Sequence, residues 1–309
     1  MKILRPSFNA GFALVVCTWC TSVMAQDAPK PDASASTASW GASSEETTSV
    51  GLYAEPAVAL RTAAAPAEPL AAGLGSVQAG IGYSTLTGGN KDWRDGFVRG
   101  HVVLGEDQGV INWEVIGQNH FDETGQGMSI SMTRNVSQNW FAMAGLGWGH
   151  GASFLPSQRF DAAVYRKWLA QRQLVTGLQF SRVKSGDKRY TDRIWAISAS
   201  YYFDFPLVAE VGYKLNQSDP GAVLTRRHYV AATWGRDKEQ LVSVRWDSGR
   251  EGYQPIGFGG TLIDFKSTVW SAGWRRWLSR RAGFEVNYEH YNNPYYRRNS
   301  WTSSVFYGF

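Results

Sequence analysis

The chain has 309 residues, a net charge of +5, 43% hydrophobic and 14% aromatic residues, and only 18% charged ones. That aromatic load excludes a wholly disordered chain, and no apolar run is long enough for a bundle of membrane helices. High aromatic and glycine content with a mean hydropathy of -0.30 points to strands that are apolar on one face only.

Taken in chain order, the first feature is an address. Lys2 and Arg5 precede an apolar stretch from Ala10 to Val16, and Val23-Met24-Ala25 puts small or modest side chains where a signal peptidase reads. Residues 1–25 are expected to be a secretory signal peptide, cut after Ala25. The apolar core is shorter than the roughly 18 residues a spanning helix needs. Val16 before Cys17 and Trp19 before Cys20 argue against a lipoprotein. Both cysteines leave with the signal, so the exported chain is expected to hold no disulfide and no thiolate metal site. Residues 26–75 are rich in Ala, Ser, Thr and Pro, with two basic against six acidic residues, a net of −4. No hydrophobic period survives there, and Pro56 opposes a stable helix, which predicts a disordered periplasmic linker.

Near Ser76 the pattern changes to alternation with a period of two. Val77, Ala79, Ile81 and Tyr83 share one face, and Gln78, Gly80, Gly82 and Ser84 the other. The same pattern recurs at Ile111 to Val115 (with Ile116 as an exception), Ala209 to Leu215, Val242 to Trp246 and Phe284 to Tyr288. It predicts strands near 76–87, 93–105, 109–121, 126–134, 140–149, 159–168, 173–183, 192–203, 206–216, 225–236, 239–249, 263–276, 281–291 and 296–309. The fold class expected is all-β, an antiparallel up-and-down transmembrane barrel of about 14 strands (12–16) over residues 76–309. Tight turns are expected at Glu106–Gln108, Asn135–Asn139, Asp204–Phe205 and Asp237–Lys238. Longer loops are expected at His150–Gln158, Lys184–Thr191, Gln217–Leu224 and Arg250–Leu262. Short turns at one end and long loops at the other are a mark of bacterial outer-membrane barrels.

A soluble β-sandwich would show the same alternation. The signal, the terminal Phe309 and aromatics near strand ends separate the two. Trp301, Ser303, Val305, Tyr307 and Phe309 share a face, and Tyr307 with Phe309 reads as the signal for the barrel-assembly machinery. Trp93, Trp140, Trp148, Trp168, Trp195, Trp234, Trp274, Trp277 and Trp301 are expected in interfacial girdles. The location expected is the outer membrane of a Gram-negative bacterium. Lys188, Arg189, Arg193, Arg226, Arg227, Arg297 and Arg298 fall at the outer ends of strands. They suit either contact with outer-membrane lipid, lipopolysaccharide or an acidic polymer, or ordinary solubilising charge.

By parity the inward set includes Arg99, Asn112, Glu114, Gln118, Glu210, Lys214, Arg245, Asp247, Glu285, Asn287 and Glu289, with His101, Ser129, Ser131 and Gln179. Such mixed charges line a wet channel or pair into a plug. Fourteen strands lie between the about eight whose side chains fill a barrel and the roughly 16–18 that leave an aqueous channel. No metal-ligand spacing and no phosphate-cradling glycine loop occurs, and no cofactor or nucleic acid is expected. For enzyme chemistry, His120 after Gln118 and Asn119 is the candidate base, with Ser129 or Ser131 as nucleophile across the next hairpin. His150, Asp187 and Asp192 form no local protease motif.

The segments from Ser76 onward resemble the YaiO family of outer-membrane β-barrels. The resemblance rests on Gln78-Ala79-Gly80-Ile81-Gly82-Tyr83-Ser84, Trp93-Arg94, Tyr229 to Gly235, Gly249 to Tyr253, Val269 to Arg275, Ala282 to Val286, Tyr295-Tyr296-Arg297-Arg298 and Trp301. These are dispersed glycine and aromatic positions rather than a reactive motif, and the long extension departs from the family's minimal form. The resemblance implies a non-enzymatic pore or accessory, partnered with exopolysaccharide or secretion components. The alternatives are a lipid- or lipopolysaccharide-modifying enzyme using His120, and an interaction barrel that binds a partner through loop Arg250–Leu262.

Overall fold

A computed structural model describes residues 75–309 except 89, 105–108, 256–260 and 263. The expected signal peptide, nearly all of the linker and the turn at Glu106–Gln108 lie outside the described residues. The strands are β1 (Gly75–Leu86), β2 (Trp93–Val103), β3 (Val110–His120), β4 (Glu123–Asn135), β5 (Trp140–His150), β6 (Gln158–Trp168), β7 (Leu174–Lys184), β8 (Thr191–Tyr202), β9 (Leu207–Asp219), β10 (Val223–Arg236) and β11 (Gln240–Glu251). A two-residue ribbon of β12 (Gln254–Pro255) and β13 (Thr261–Leu262) follows, then β14 (Phe265–Trp277), β15 (Ala282–Asn292) and β16 (Arg297–Gly308).

Fourteen of these strands form one closed antiparallel barrel in sequence order, and β12 with β13 stand apart in a loop. Closure is the pairing of β1 with β16, from Ser76 opposite Gly308 to Leu86 opposite Arg298. Phe309 completes the seam, exchanging backbone hydrogen bonds with Gly75 at 3.0 and 3.2 Å. A closed sheet leaves no strand edge unpaired, the condition for a sheet to sit in hydrocarbon.

The alternation is turned inside out relative to a soluble sandwich. Ile81 and Val305 are 71% and 65% exposed on the outer wall. Gln78 and Ser304, on the same two strands, are buried inside and joined by a 2.6 Å hydrogen bond from Gln78 Nε2. An apolar outer face and a hydrogen-bonded inner face fit lipid outside and a polar interior. Both ends of the chain's barrel region lie at one end, which we call the inner end. Outward aromatics ring it, among them Trp140, Trp168, Trp234, Trp274 and Tyr307.

Four expectations need correction. Trp93 and Trp277 are not girdle residues. Trp93 stacks on His120 inside the barrel (centroids 4.1 Å apart), and Trp277 faces Phe306 at 5.2 Å. The loop expected over Gln217–Leu224 is a turn of 220–222, because β9 runs on to Asp219 and β10 begins at Val223. The sorting of loops by end is incomplete. The outer end has the long connections but also the tight one at Phe121-Asp122, where both residues take positive φ (53° and 64°), as a primed hairpin turn requires. Finally, the inner face is not polar throughout. Phe141, Met143, Ala163, Tyr165 and Val175 make an apolar cluster on β5–β7 at the inner end.

Candidate functional site

The site is the lumen wall together with the loops at its outer mouth. Strand parity aims all eleven candidate lumen residues inward, and nine of them fall into three groups, with Asn112 and Gln118 apart. Around the seam, the Arg99 guanidinium lies 3.4 Å from Glu285 and 3.9 Å from Glu114, and Arg275 donates to Glu285 at 2.9 Å. Asn287 donates to the same carboxylate at 2.9 Å, and Arg99 also reaches Gln78 at 3.3 Å. A second group joins Glu210 to the Tyr229 hydroxyl at 2.6 Å. Lys214 Nζ and the Arg245 guanidinium lie over the Tyr229 ring, 5.4 and 3.7 Å from its centroid. Asn112 is buried on the wall of β3.

The third group is at the outer end and is fully enclosed. Arg227 donates to Asp247 at 2.8 Å, to Glu251 at 2.6 Å and to Ser267 at 2.5 Å. Ser267 and Tyr291 donate to Glu251 as well, and Arg298 pairs with Glu289. Arg227 and Arg298 therefore point into the barrel. Both lie at the outer ends, as expected, but the contact with lipopolysaccharide, an acidic polymer or solvent expected of them is overturned by one step of parity, since their neighbours Arg226 and Arg297 are the exposed ones. Removing one member of such a group leaves unpaired buried charge, at a cost of about 3–5 kcal/mol.

Gln118 and His120 both bind Asp95, at 3.0 and 2.7 Å. His120 lies between the rings of Trp93 and Phe154, 4.1 and 4.8 Å away. The proposed pairing of His120 with Ser129 or Ser131 does not occur. In the β3–β4 register His120 stands opposite Glu123, whereas Ser129 stands opposite Glu114 and Ser131 opposite Asn112. Six residues of strand separate His120 from the level of Ser129, about 20 Å.

Phe154 comes from the β5–β6 loop (151–157), which folds into the mouth. Leu155, 1% exposed, seats on inward glycines of β4 and β5. A Cβ at Gly125 would come within 2.5 Å of Leu155 Cδ1, and one at Gly149 within 2.8 Å of Leu155 Cβ. Trp93, Phe121, Phe154 and Leu155 form one buried cluster, and Glu123 accepts from the Ser153 amide (2.7 Å) and hydroxyl (2.8 Å). The β7–β8 loop lies on this loop, since a Cβ at Gly186 would stand 2.5 Å from the carbonyl oxygens of Ala152 and Leu155. Tyr190 of the β7–β8 loop stacks on Tyr253, in the β11–β14 connection, at 4.4 Å. Three of the outer connections thus meet over the mouth.

Sequence reasoning missed Asp95, Arg275 and the inserted loop. Parity was available for the first two, each inward on its strand. For the loop the signal is Phe154-Leu155-Pro156, an apolar run outside any strand. Among the described residues no group of three or more His, Cys, Asp or Glu is placed to hold a metal ion.

The barrel fold recurs in solved structures at low sequence identity. The CymD monoaromatic hydrocarbon channel aligns with a TM-score of 0.50 and 7% identity, over 77% of this chain and 89% of that one. An outer membrane channel from Pseudomonas putida F1 gives 0.49 and 6%, over 78% and 97%. A bacterial polysaccharide outer membrane secretin gives 0.46 and 12%, over 77% and 99%. No curated protein sequence matches the chain. The YaiO membrane beta barrel domain matches residues 75–254, more than half of the chain. With its closed fourteen-stranded barrel and lipid-facing apolar wall, the chain belongs to the YaiO family of outer-membrane β-barrels of Gram-negative bacteria.

Proposed function

We propose that this barrel is a gated conduit, or the gated accessory of one, for a polar carbohydrate cargo of the exopolysaccharide type, and that it is not an enzyme. One observation carries the reading. Half-buried guanidiniums on the inner wall lie over aromatic rings: Arg99 over Phe97 (4.9 Å), Arg275 over Phe306 (3.8 Å) and Arg245 over Tyr229 (3.7 Å). Such a surface offers hydrogen-bond donors, fixed charge and ring faces together, which suits a sugar bearing carboxylate groups. The inserted β5–β6 loop is the gate in this reading.

Against an enzyme stand the enclosure of His120 between two aromatic rings and its distance along the sheet from Ser129. Asp95 holds His120 in place for packing at the mouth. Titration calorimetry of the protein in detergent with uronic-acid oligosaccharides and their neutral counterparts tests the proposal. Tighter binding of the acidic sugars, weakened about tenfold by Arg245→Gln, is expected. Equal heats for acidic and neutral sugars, unaffected by Arg245→Gln, would contradict it.

A further inference from the structure

The outer wall of β7–β14 carries a row of cations that the lumen does not use. Arg182 (β7), Arg193 (β8), Arg226 (β10), Arg250 (β11) and Lys266 (β14) all point away from the interior. Their strand neighbours Val183, Asp192, Arg227, Glu251 and Ser267 are the buried, inward ones.

Their height on the barrel follows from residue spacing. Outward Tyr201, Trp234 and Trp274 belong to the inner-end girdle, and each lies eight residues along its strand from Arg193, Arg226 and Lys266 respectively. Eight residues span about 27 Å of strand, or about 21 Å of height at a tilt of about 40°. The apolar band of such barrels is about 25 Å tall. Midway on the same strands are the exposed apolar residues Ile197, Val230 and Trp270. The cations therefore sit where the outer leaflet's hydrocarbon gives way to its head groups.

The row is also unfavourable as it stands. Arg182 lies directly opposite Arg193, and Arg250 directly opposite Lys266. Like charges paired across strands destabilise a sheet. Arg193 holds Asp219 at 2.6 Å and Arg250 holds Asp264 at 2.5 Å. Among the described residues Arg182, Arg226 and Lys266 have no carboxylate partner. The opposite wall differs: Thr85, Asn119 and Thr124 occupy its outer ends, with Arg94 and Arg297 as scattered cations. Two cation pairs at one height on one wall, each with only one member held by a carboxylate, match an amphiphile with two phosphates on a rigid head group.

We propose that this wall binds the phosphates of a lipid A head group in the outer leaflet, Arg182 with Arg193 taking one phosphate and the Arg226, Arg250 and Lys266 side taking the other. Charge-assisted contacts to guanidinium give the wall its preference for phosphate. The proposal is independent of what the lumen carries.

The test uses the full exported chain in nanodiscs, with retained lipid counted by native mass spectrometry. Bis-phosphorylated lipid A, dephosphorylated lipid A and phosphatidylglycerol are offered in turn. The expected result is retention of bis-phosphorylated lipid A at least about tenfold better than either competitor. Arg182→Gln/Arg226→Gln/Lys266→Gln should abolish that preference, while Arg94→Gln/Arg297→Gln on the opposite wall keeps it. Heat-modifiable migration in gels reports whether each variant is folded. Equal retention of dephosphorylated lipid A or phosphatidylglycerol by the unaltered protein overturns the proposal, and needs no variant to fold. Equal loss in the opposite-wall variant overturns it too.

Discussion

Gly125→Val is the sharpest perturbation of the gate. Gly125 has an ordinary strand φ and faces the lumen on β4, so valine suits the strand itself. Its Cβ would lie 2.5 Å from Leu155 Cδ1, 2.8 Å from Ala152 Cβ and 3.1 Å from the His150 carbonyl oxygen. The barrel is held by its ladder, so the loop must lift. It gives up the seat of Leu155 and the two Ser153 bonds to Glu123, at 2.7 and 2.8 Å. Overpacking of this kind costs about 1–3 kcal/mol, which shifts the docked-to-lifted ratio by about 5- to 150-fold. Amide hydrogen exchange over residues 151–157 reads that ratio directly, because local opening sets the exchange rate. The Ser153 amide should lose protection by that factor while the strands of the barrel keep theirs. Unchanged protection over 151–157 in a folded Gly125→Val barrel would refute the docking argument.

Three further outcomes follow from the same geometry. Arg227→Gln strips Asp247 and Glu251 of their shared cation inside the wall, and should lower stability by about 3–5 kcal/mol in denaturant titrations in lipid vesicles. Ile197→Arg puts a charge midway up the lipid-facing wall of β8, and the same titration should show a loss of about 2–4 kcal/mol. Deleting Phe309 removes both of its backbone bonds to Gly75 at the closing seam, and the fraction of folded barrel recovered from the outer membrane should fall; full recovery would remove the assembly role given to that residue.

Much of the fold was legible in the sequence because a barrel wall obeys one local rule. A strand between lipid and a polar interior must alternate, and the period of two located all fourteen strands to within a few residues. The same rule aimed Arg99, Glu114, Arg245 and Glu285 inward. It said nothing of which side chains meet across neighbouring strands. Arg227 and Arg226 look alike as neighbours in a basic pair; parity turns one of them inward, and the shared carboxylates of Asp247 and Glu251 are what Arg227 finds there. Trp93 reads as a girdle residue until its partner His120, 27 positions on, is seen stacked against it. Nothing local marks the inward glycines Gly125 of β4 and Gly149 of β5 as the floor on which Leu155 rests. A loop that folds into a lumen has no period, so its apolar residues gave the only hint.

The most direct test of the gated conduit is single-channel conductance of the full exported chain in planar bilayers, unaltered and as Gly125→Val, with and without uronic-acid oligosaccharides. The account predicts a mostly closed unaltered barrel, a Gly125→Val barrel that opens more often, and openings that acidic sugars block. Folded barrels of both kinds that never conduct, or conduct equally and ignore the sugars, would contradict it.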